Sequence, residues 1–249
     1  MESDELIGPA LGDAFGEGLT RRFETGSATI VIERDDGMVE VDPFDYFSPP
    51  EGPHWEWIRS RLGHRVLDVG CGAGRACLAL QALGHDVVGL DVSPGAVQVA
   101  TSRGVSQTFL GTVEDLAATD PAPFDSFVGL GNNLGLLADP ERAVTFLETL
   151  GRMSHAGSNL VGTILDPYDT EEPLHLAYHE ANRRAGRLAG EVRIRVRHRR
   201  TATAWFGLLW CSPEELAEVI RPAGWVLAAT QGEGIYAAEL GQNGSAASE

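Results

Sequence analysis

The stretch formed by residues 66–75 constrains the fold more than any other part of this sequence. Its first four residues, 66–69, have the pattern of a short buried strand, and Gly70, Gly72 and Gly74 follow before a helical pattern begins. Glycine has no Cβ, so such a turn can bend sharply and let a ligand lie against bare backbone. The helix start leaves N–H groups unpaired, which suit a carboxylate or phosphate. The stretch therefore predicts the opening strand, turn and helix of a nucleotide-binding α/β domain.

A second feature is Asp91, which ends the next apolar run at residues 86–90. An acidic residue about 20 residues after the glycine turn closes the second strand of such domains and accepts hydrogen bonds from ribose hydroxyls. The competing interpretation, a helix N-cap, fits Ser93 better, because Pro94 follows it at the first helical position. Asp91 is therefore predicted to bind a ribose.

The order of residues 68–75 is D-V-G-C-G-A-G-R. A dinucleotide fingerprint needs G-x-G-x-x-G/A, and Arg75 occupies the third glycine position. As written, the run resembles motif I of the class I S-adenosylmethionine (AdoMet)-dependent methyltransferases, and the resemblance covers about residues 50–240. The resemblance implies a Rossmann-like, doubly wound α/β fold with a mostly parallel seven-stranded sheet that ends in an antiparallel hairpin.

The resemblance also implies where AdoMet would bind. Val92 would flank the adenine, and Glu114 with its neighbour Asp115 would meet the adenine edge, although one of the two acids could instead belong to a solvated helix start. The end of the fourth strand would contact the methionine part, where Asn132 and Asn133 are candidates and one of them only shapes the turn. The complete predicted cofactor set is Asp68, Gly70, Gly72, Gly74, Asp91, Val92, Glu114, Asp115, Leu130 and Asn132.

Three segments are predicted outside the core pattern. Residues 1–53 are interpreted as an N-terminal extension or cap, whose glycine-rich, acidic start is either partly disordered or a lid. Residues 54–240 are interpreted as the methyltransferase domain, with an α+β insertion at residues 169–211 before the last helix. Residues 241–249 are predicted to be a flexible polar tail.

The insertion contains an alternating run at residues 191–199. Val192, Ile194 and Val196 alternate with arginines at 193, 195, 197 and 199, which predicts a half-buried antiparallel strand. The arginine row is either a solvated face that balances an acidic protein or a site for an anionic substrate or acidic partner. Because four arginines on one face repel one another, an acidic neighbour is favoured, and the acidic N-terminal segment is a candidate.

The composition narrows the possible functions. The net charge of −17 opposes binding to a polyanion, so nucleic acid is not expected as a partner. All 19 positively charged residues counted as Lys or Arg are arginine. The sequence therefore has no lysine that could form a Schiff base or serve as the lysine of a P-loop. Cys71, Cys77 and Cys211 are too few for a disulfide framework or zinc site, so no metal is predicted. Neither a signal peptide nor an apolar run of ~20 residues is present, so a cytoplasmic protein without membrane association is expected.

Methyl transfer from a sulfonium is an in-line displacement, so the protein mainly orients the reactants and excludes water. A base is needed only if the nucleophile must lose a proton, and His179 and Tyr168 are candidates without either being assigned. The sequence predicts an AdoMet-dependent methyltransferase for a small-molecule acceptor, acting as a monomer or homodimer. The alternatives are a non-catalytic AdoMet-binding or regulatory protein and an NAD-dependent oxidoreductase, against which Arg75 argues.

Overall fold

The computed structural model describes residues 10–242, which contain thirteen strands and eight α-helices. The strands are β1 (Ala10–Leu11), β2 (Val31–Arg34), β3 (Val39–Val41), β4 (Arg65–Val69), β5 (Asp86–Asp91), β6 (Gln107–Leu110), β7 (Phe124–Gly129), β8 (Ser154–Leu165), β9 (Gly190–His198), β10 (Thr201–Ala202), β11 (Phe206–Trp210), β12 (Trp225–Gln231) and β13 (Ile235–Gln242). The helices are α1 (Ala14–Thr25), α2 (Pro53–Arg59), α3 (Arg75–Ala82), α4 (Pro94–Ser102), α5 (Val113–Ala117), α6 (Pro140–Arg152), α7 (Pro173–Arg184) and α8 (Pro213–Ile220).

The larger sheet has seven strands in the order β12-β13-β8-β7-β4-β5-β6. Only β13 runs antiparallel to its neighbours, while the other pairs are parallel. From β4 the chain winds outward through β5 and β6 and then returns to β7 on the opposite side of β4. The ends of β4 and β7 therefore form the crevice in which doubly wound sheets bind ligands. This arrangement confirms the predicted Rossmann-like fold with its antiparallel terminal hairpin.

Helices cover both faces of this sheet, as the continuous apolar strands require. Leu67 and Val69 of β4 lie in the core on one side, which α5, α6 and α8 complete. Val66 points to the other side and joins the core that includes α2 and α3. The side chains of β4 thus alternate between the two cores. Because β4 is packed on both faces, its end has a fixed position between the two helix layers.

A second sheet joins the N-terminal segment to the insertion. Its strands lie in the order β1-β10-β9-β2-β3, and β11 also pairs with β9. The turn signal at residues 35–37 predicts a hairpin, which forms as β2 and β3, and β2 pairs antiparallel with β9 of the insertion. The predicted cap and insertion are therefore parts of one sheet, a connection that the sequence pattern did not reveal.

The arginine row has the acidic neighbour that the sequence favoured. Arg195 forms two hydrogen bonds to Glu33 of β2, at 3.0 and 2.9 Å, and Arg197 adds a third at 3.1 Å. The expected apolar face is buried. Arg199 departs from the predicted row, because β9 ends at His198 and Arg199 takes a left-handed turn with φ of 52°.

Three further expectations differ from the structure. The described part of the glycine-rich start, predicted as disorder or a lid, contains the helix α1, which Asp13 caps through Gly16 N–H. The sequence pattern after the alternating run predicts one returning strand over residues 203–210, whereas the structure has β11 within that range and the separate short strand β10 before it. The predicted tail begins too early, because β13 extends to Gln242, and residues 1–9 and 243–249 lie outside the described residues.

Candidate functional site

Gly72 and Gly74 in the turn after β4 differ in how closely they are packed. They have φ of 53° and 77°, in the left-handed region that favours glycine. A Cβ on Gly74 would lie 2.5 Å from Val105 Cγ2, so this position needs a hydrogen for packing. Gly72 is also buried, but a Cβ there would meet nothing closer than Tyr46 Cδ1 at 3.7 Å, so its backbone lies against aromatic side chains at ordinary van der Waals distance.

Asp91 lies beside this backbone at the end of β5. Its Oδ2 accepts a 2.9 Å hydrogen bond from Gly72 N–H, and its Oδ1 accepts one of 2.9 Å from Ser93 N–H. Burial raises the pKa of Asp91, while the two N–H donors act in the opposite direction. Ser93 caps α4 through Ala96 N–H, as its position before Pro94 predicted, so Asp91 is not needed as the cap.

Asp68 lies within β4, one residue before the strand ends, and is only 2% exposed. The Cys77 thiol donates to its Oδ2 over 3.1 Å, and burial raises the pKa of Asp68 to about 6. The negative charge of Asp91 acts in the same direction as burial. Two carboxyl groups thus lie under or beside the glycine turn, where a cationic ligand would stabilise their ionised forms.

The two asparagines after β7 have different surroundings. Asn133 Nδ2 donates to Val69 O at 3.0 Å and to Gly70 O at 2.9 Å, so this side chain supports the glycine turn. Asn132 has a left-handed backbone with φ of 65°, and its N–H donates to Thr163 Oγ1. The structure therefore leaves Asn132, next to Leu130, as the asparagine whose side chain is available to a ligand.

The predicted adenine region has an apolar part and an acidic part. Val92 is 65% exposed, and Leu110, aligned with Asp91 at the end of the neighbouring strand, is 51% exposed. Two adjacent exposed apolar side chains suit the flat face of a base. Sequence reasoning missed Leu110, although its position at the end of the third strand was a usable signal.

Glu114 and Asp115 have different surroundings, in line with the alternative in which one of the two belongs to a helix start. Asp115 belongs to the helix start, because it forms a capping box with Thr112, whose N–H donates to Asp115 Oδ2 at 2.9 Å. This hydrogen bond lowers the pKa of Asp115. Glu114 precedes it, with one oxygen 3.8 Å from an Arg142 nitrogen. Glu114 is therefore freer than Asp115 to meet a ligand.

Aromatic side chains of the N-terminal segment cover the glycine turn. Phe15 and Tyr46 are the side chains nearest to a Cβ placed on Gly72, and Phe44 lies against Gly131 after β7. Arg75 donates to Asp45 O at 2.7 Å, and Arg103 donates to both Ala73 O and Phe47 O at 2.5 Å. The arginine that argued against a dinucleotide site thus attaches the aromatic loop to the turn, a role with no sequence signal.

The start of α1 is fixed next to Asp91. Asp13 Oδ1 accepts a 2.7 Å hydrogen bond from Ser93 Oγ, and its Oδ2 accepts one of 2.8 Å from Gly95 N–H. The two helix starts approach so closely that a Cβ on Gly16 would lie 2.7 Å from Gly95 Cα. The N-terminal segment therefore contacts the predicted ribose site directly.

Tyr168 and His179 form a second group beyond the end of β8. Tyr168 is 47% exposed, and its hydroxyl donates to Glu215 Oε1 at 2.5 Å. A cavity of about 350 Å³ adjoins Tyr168, Asp166 and Tyr236. His179 is buried in α7, and this burial lowers its pKa.

The described region has neither a metal-ligand cluster nor a membrane-spanning helix. Among residues 10–242, no group of three or more His, Cys, Asp or Glu side chains is arranged to hold a metal ion. Over the same residues, no helix is both long enough and apolar enough to span a bilayer.

A family model described as a methyltransferase domain matches residues 66–157. This range contains the glycine turn, Asp91 and Asn132. Over these residues the chain is similar to a methyltransferase domain. The similarity agrees with the strand order of the large sheet and with the glycine turn at its crevice.

Curated relatives match this chain over part of their length. The "Ubiquinone biosynthesis O-methyltransferase" of Xylella fastidiosa (strain 9a5c) is 41% identical over 109 residues, which cover 35% of this chain and 44% of that relative. The protein of the same name from Paraburkholderia phymatum is 37% identical over 103 residues, with coverages of 38% and 44%. The chain therefore spans less than half the length of these relatives.

Solved structures resemble this chain over nearly its whole length. A SAM-dependent methyltransferase from Bacteroides fragilis, in complex with S-adenosyl-L-homocysteine, has a TM-score of 0.77 and 21% identity, covering 94% of this chain and 97% of that chain. The CcbJ methyltransferase from Streptomyces caelestis has a TM-score of 0.62 and 15% identity, covering 92% and 98%. At these identities the likeness is one of fold.

Proposed function

We propose that this protein transfers a methyl group from AdoMet to a small-molecule acceptor by in-line displacement. The observation that carries the proposal is the position of the Asp91 carboxylate beside the glycine turn at the crevice of the sheet, where it accepts a hydrogen bond from Gly72 N–H. The similar structure from Bacteroides fragilis is a complex with S-adenosyl-L-homocysteine, and AdoMet supplies a methyl group bonded to a sulfonium. The protein then has to bind AdoMet and the acceptor, orient them towards each other and exclude water from the site.

Each part of the proposed cofactor site has a separate role. Asp91 accepts the ribose hydroxyls, Val92 and Leu110 flank the adenine, and Glu114 accepts from its amino group. The glycine turn, with Asp68 beneath it, and the β7 end at Leu130 and Asn132 hold the methionine part. Asp115 is the weakest member of the predicted set, because its carboxylate is engaged in the capping box.

The shape of the covering segments supports a small acceptor. The aromatic loop lies over the turn, and the second sheet adds β9 and β11 on the same side of the protein, where β11 contacts the short helix after β7. Oxygen is the acceptor atom that the names of the curated relatives suggest. The net charge of −17 disfavours a nucleic-acid partner, and we propose a cytoplasmic enzyme that acts as a monomer or homodimer.

Calorimetry with S-adenosylhomocysteine tests the cofactor site. Asp91→Ala should weaken binding by about 1–3 kcal/mol, the scale of a lost charge-assisted hydrogen bond. Asp120→Ala, at a turn beyond α5, is the matched control and should leave affinity unchanged. Unchanged affinity of Asp91→Ala would remove the ribose assignment, and tighter binding of NAD than of S-adenosylhomocysteine would favour the oxidoreductase alternative.

Turnover separates an enzyme from a non-catalytic AdoMet-binding protein. Incubation with methyl-labelled AdoMet and a panel of small phenols, acids and amines should give labelled product with the wild type. Binding of AdoMet without label transfer to any member of the panel would favour the regulatory alternative.

A further inference from the structure

One face of α7 carries three groups that are positive or can become so. His175, His179 and Arg183 follow one another at intervals of four residues, so they lie along the same side of the helix. Thr170 Oγ1 lies 3.3 Å from His175 Nδ1, and the Arg183 guanidinium lies 5.6 Å from the centre of the Tyr168 ring. The face therefore runs along residues 168–170, at the edge where β8 ends and ligands bind in such sheets.

Two buried polar atoms on this helix have no hydrogen-bond partner. They are His179 Nδ1 and Asn182 Oδ1, one helical turn apart, on residues that are 3% and 0% exposed. The Asn182 amide is oriented by its Nδ2, which donates to Ala189 O at 2.9 Å and to Glu191 O at 2.8 Å. A buried polar atom without a hydrogen-bond partner is destabilising, so each of these two atoms favours a polar ligand beside it.

The charges around His179 favour an anionic partner. Burial is the main cause of its lowered pKa, and the positive charges of Arg183, His175 and Arg34 act in the same direction. Arg34 is neutralised by Asp36 at 2.7 Å. Arg183 is only loosely paired, because its nearest carboxylate, that of Glu180, is 3.8 Å away and binds Arg184 at 2.9 Å. His179 therefore lies near Arg183, a positive charge whose only ion-pair partner among the described residues is the shared Glu180 carboxylate.

We infer that this face of α7 binds the nucleophilic group of the methyl acceptor, and that this group is an acidic hydroxyl of a phenol or a carboxylic acid. The inference rests on the proposed function. From a phenol, His179 takes the hydroxyl proton at Nδ1 and later releases it to solvent; a carboxylic acid is already ionised at neutral pH and transfers no proton. The acceptor oxygen forms the new bond to the methyl carbon, and the electron pair of the breaking carbon–sulfur bond stays on sulfur. Arg183 and His175 stabilise the charge on the oxygen before transfer.

Binding of small probes tests the substrate class. Phenol, benzoate and benzylamine are titrated by calorimetry into the protein, with and without saturating S-adenosylhomocysteine. Phenol or benzoate should bind, and which of the two binds more tightly identifies the hydroxyl. Tighter binding of benzylamine would overturn the inference, because the acidic cavity at Asp166, Asp169 and Glu233 would then be the recognition site.

Two variants of α7 test whether the probe binds at this helix. His179→Gln should weaken the preferred probe about ten-fold or more, as expected for a lost hydrogen bond to a charged group. Arg183→Gln, whose side chain is 47% exposed and so tolerant of change, should weaken it similarly. His155→Gln, at the start of β8, is the control. Equal probe affinity in His179→Gln and the wild type would mean that a buried water alone occupies the two unpaired atoms.

Turnover separates proton transfer from a structural role. With AdoMet, His179→Gln should lower kcat/KM for phenol by about 10²–10⁴, the range for a lost general base, and 4-nitrophenol should lose much less because it ionises without help. Equal losses for both phenols, or no transfer to either by the wild type, would overturn the inference. S-adenosylhomocysteine affinity and Tm of each variant report folding. Failure of the wild type to bind S-adenosylhomocysteine would instead overturn the proposed function.

Discussion

Asp68 illustrates how burial next to a ligand site changes a single ionisable group. Its carboxyl is 2% exposed and receives only the Cys77 thiol as a side-chain donor, which is a weak donor. Its pKa rises from 3.8 to about 6, so the folded state holds a proton that the unfolded state has already lost. Ionised Asp68 therefore destabilises the folded state. This loss of folding stability reaches its full size only above pH 6.

We predict that Asp68→Asn stabilises the protein in a pH-dependent way. Below about pH 4 both states are protonated and the variant gains nothing, whereas above pH 6 it gains about 1–3 kcal/mol because the buried charge is absent. Urea unfolding from pH 4 to 8 measures this difference. Asp125→Asn is the opposite control, because hydrogen bonds lower the pKa of Asp125, so its removal should cost stability at neutral pH. A gain for Asp68→Asn that does not vary with pH would contradict the argument.

Individual residues of the site were predictable where one local rule applied. The positions of Asp91 and Ser93 followed from the end of a strand and from the preference for serine before proline, and the structure agrees with both placements. The sequence could not decide between Asn132 and Asn133, because only tertiary structure brings Asn133 to Gly70 O. The attachment of the aromatic loop by Arg103 had no local signal for the same reason.

At the scale of elements, α1 shows tertiary contacts overcoming weak helix propensity. The segment contains Gly16 and Gly18, which disfavour a helix, so the sequence pattern did not predict it. Gly16 nevertheless allows α1 to approach Gly95 of α4, where any side chain would collide with backbone. The residue that weakens the helix locally is the one that allows it to dock.

We predict that Gly16→Ala destabilises the protein by about 1–3 kcal/mol, because the added methyl overpacks a backbone contact. Gly151→Ala in α6 is the matched control, since its Cβ would meet only Gln242 Nε2 at 3.6 Å, and the alanine should stabilise the helix. Tm and limited proteolysis within α1 measure the two effects. Equal stabilisation by both alanines would show that α1 does not dock as described.

At the scale of the whole molecule, the second sheet unites segments that are distant in sequence. Period-two alternation at residues 191–199 revealed which side chains share a face, but it carries no information about the partner strand. The partner, β2, belongs to the N-terminal segment, and Glu33 forms ion pairs with Arg195 and Arg197. The cap and the insertion should therefore open and close as one unit.

We predict that Glu33→Gln weakens both segments together. The two arginines lose their common acceptor in a partly buried setting, which should cost about 1–2 kcal/mol. Hydrogen exchange should accelerate equally in β2 and β9, while β4 keeps its protection. Glu40→Gln, on an exposed position of β3, is the control. Faster exchange in β2 alone would contradict the idea of a single unit.

The pairing of β2 with β9 also has a consequence for synthesis. Val31 is aligned with Arg197, so about 160 residues must follow β2 before its hydrogen-bonding partner has been translated. Until then, the backbone groups along one side of the nascent hairpin stay unpaired and open to chance pairing with other chains. A ribosome that stalls within the large sheet would release an intermediate that is vulnerable to aggregation at its first hairpin.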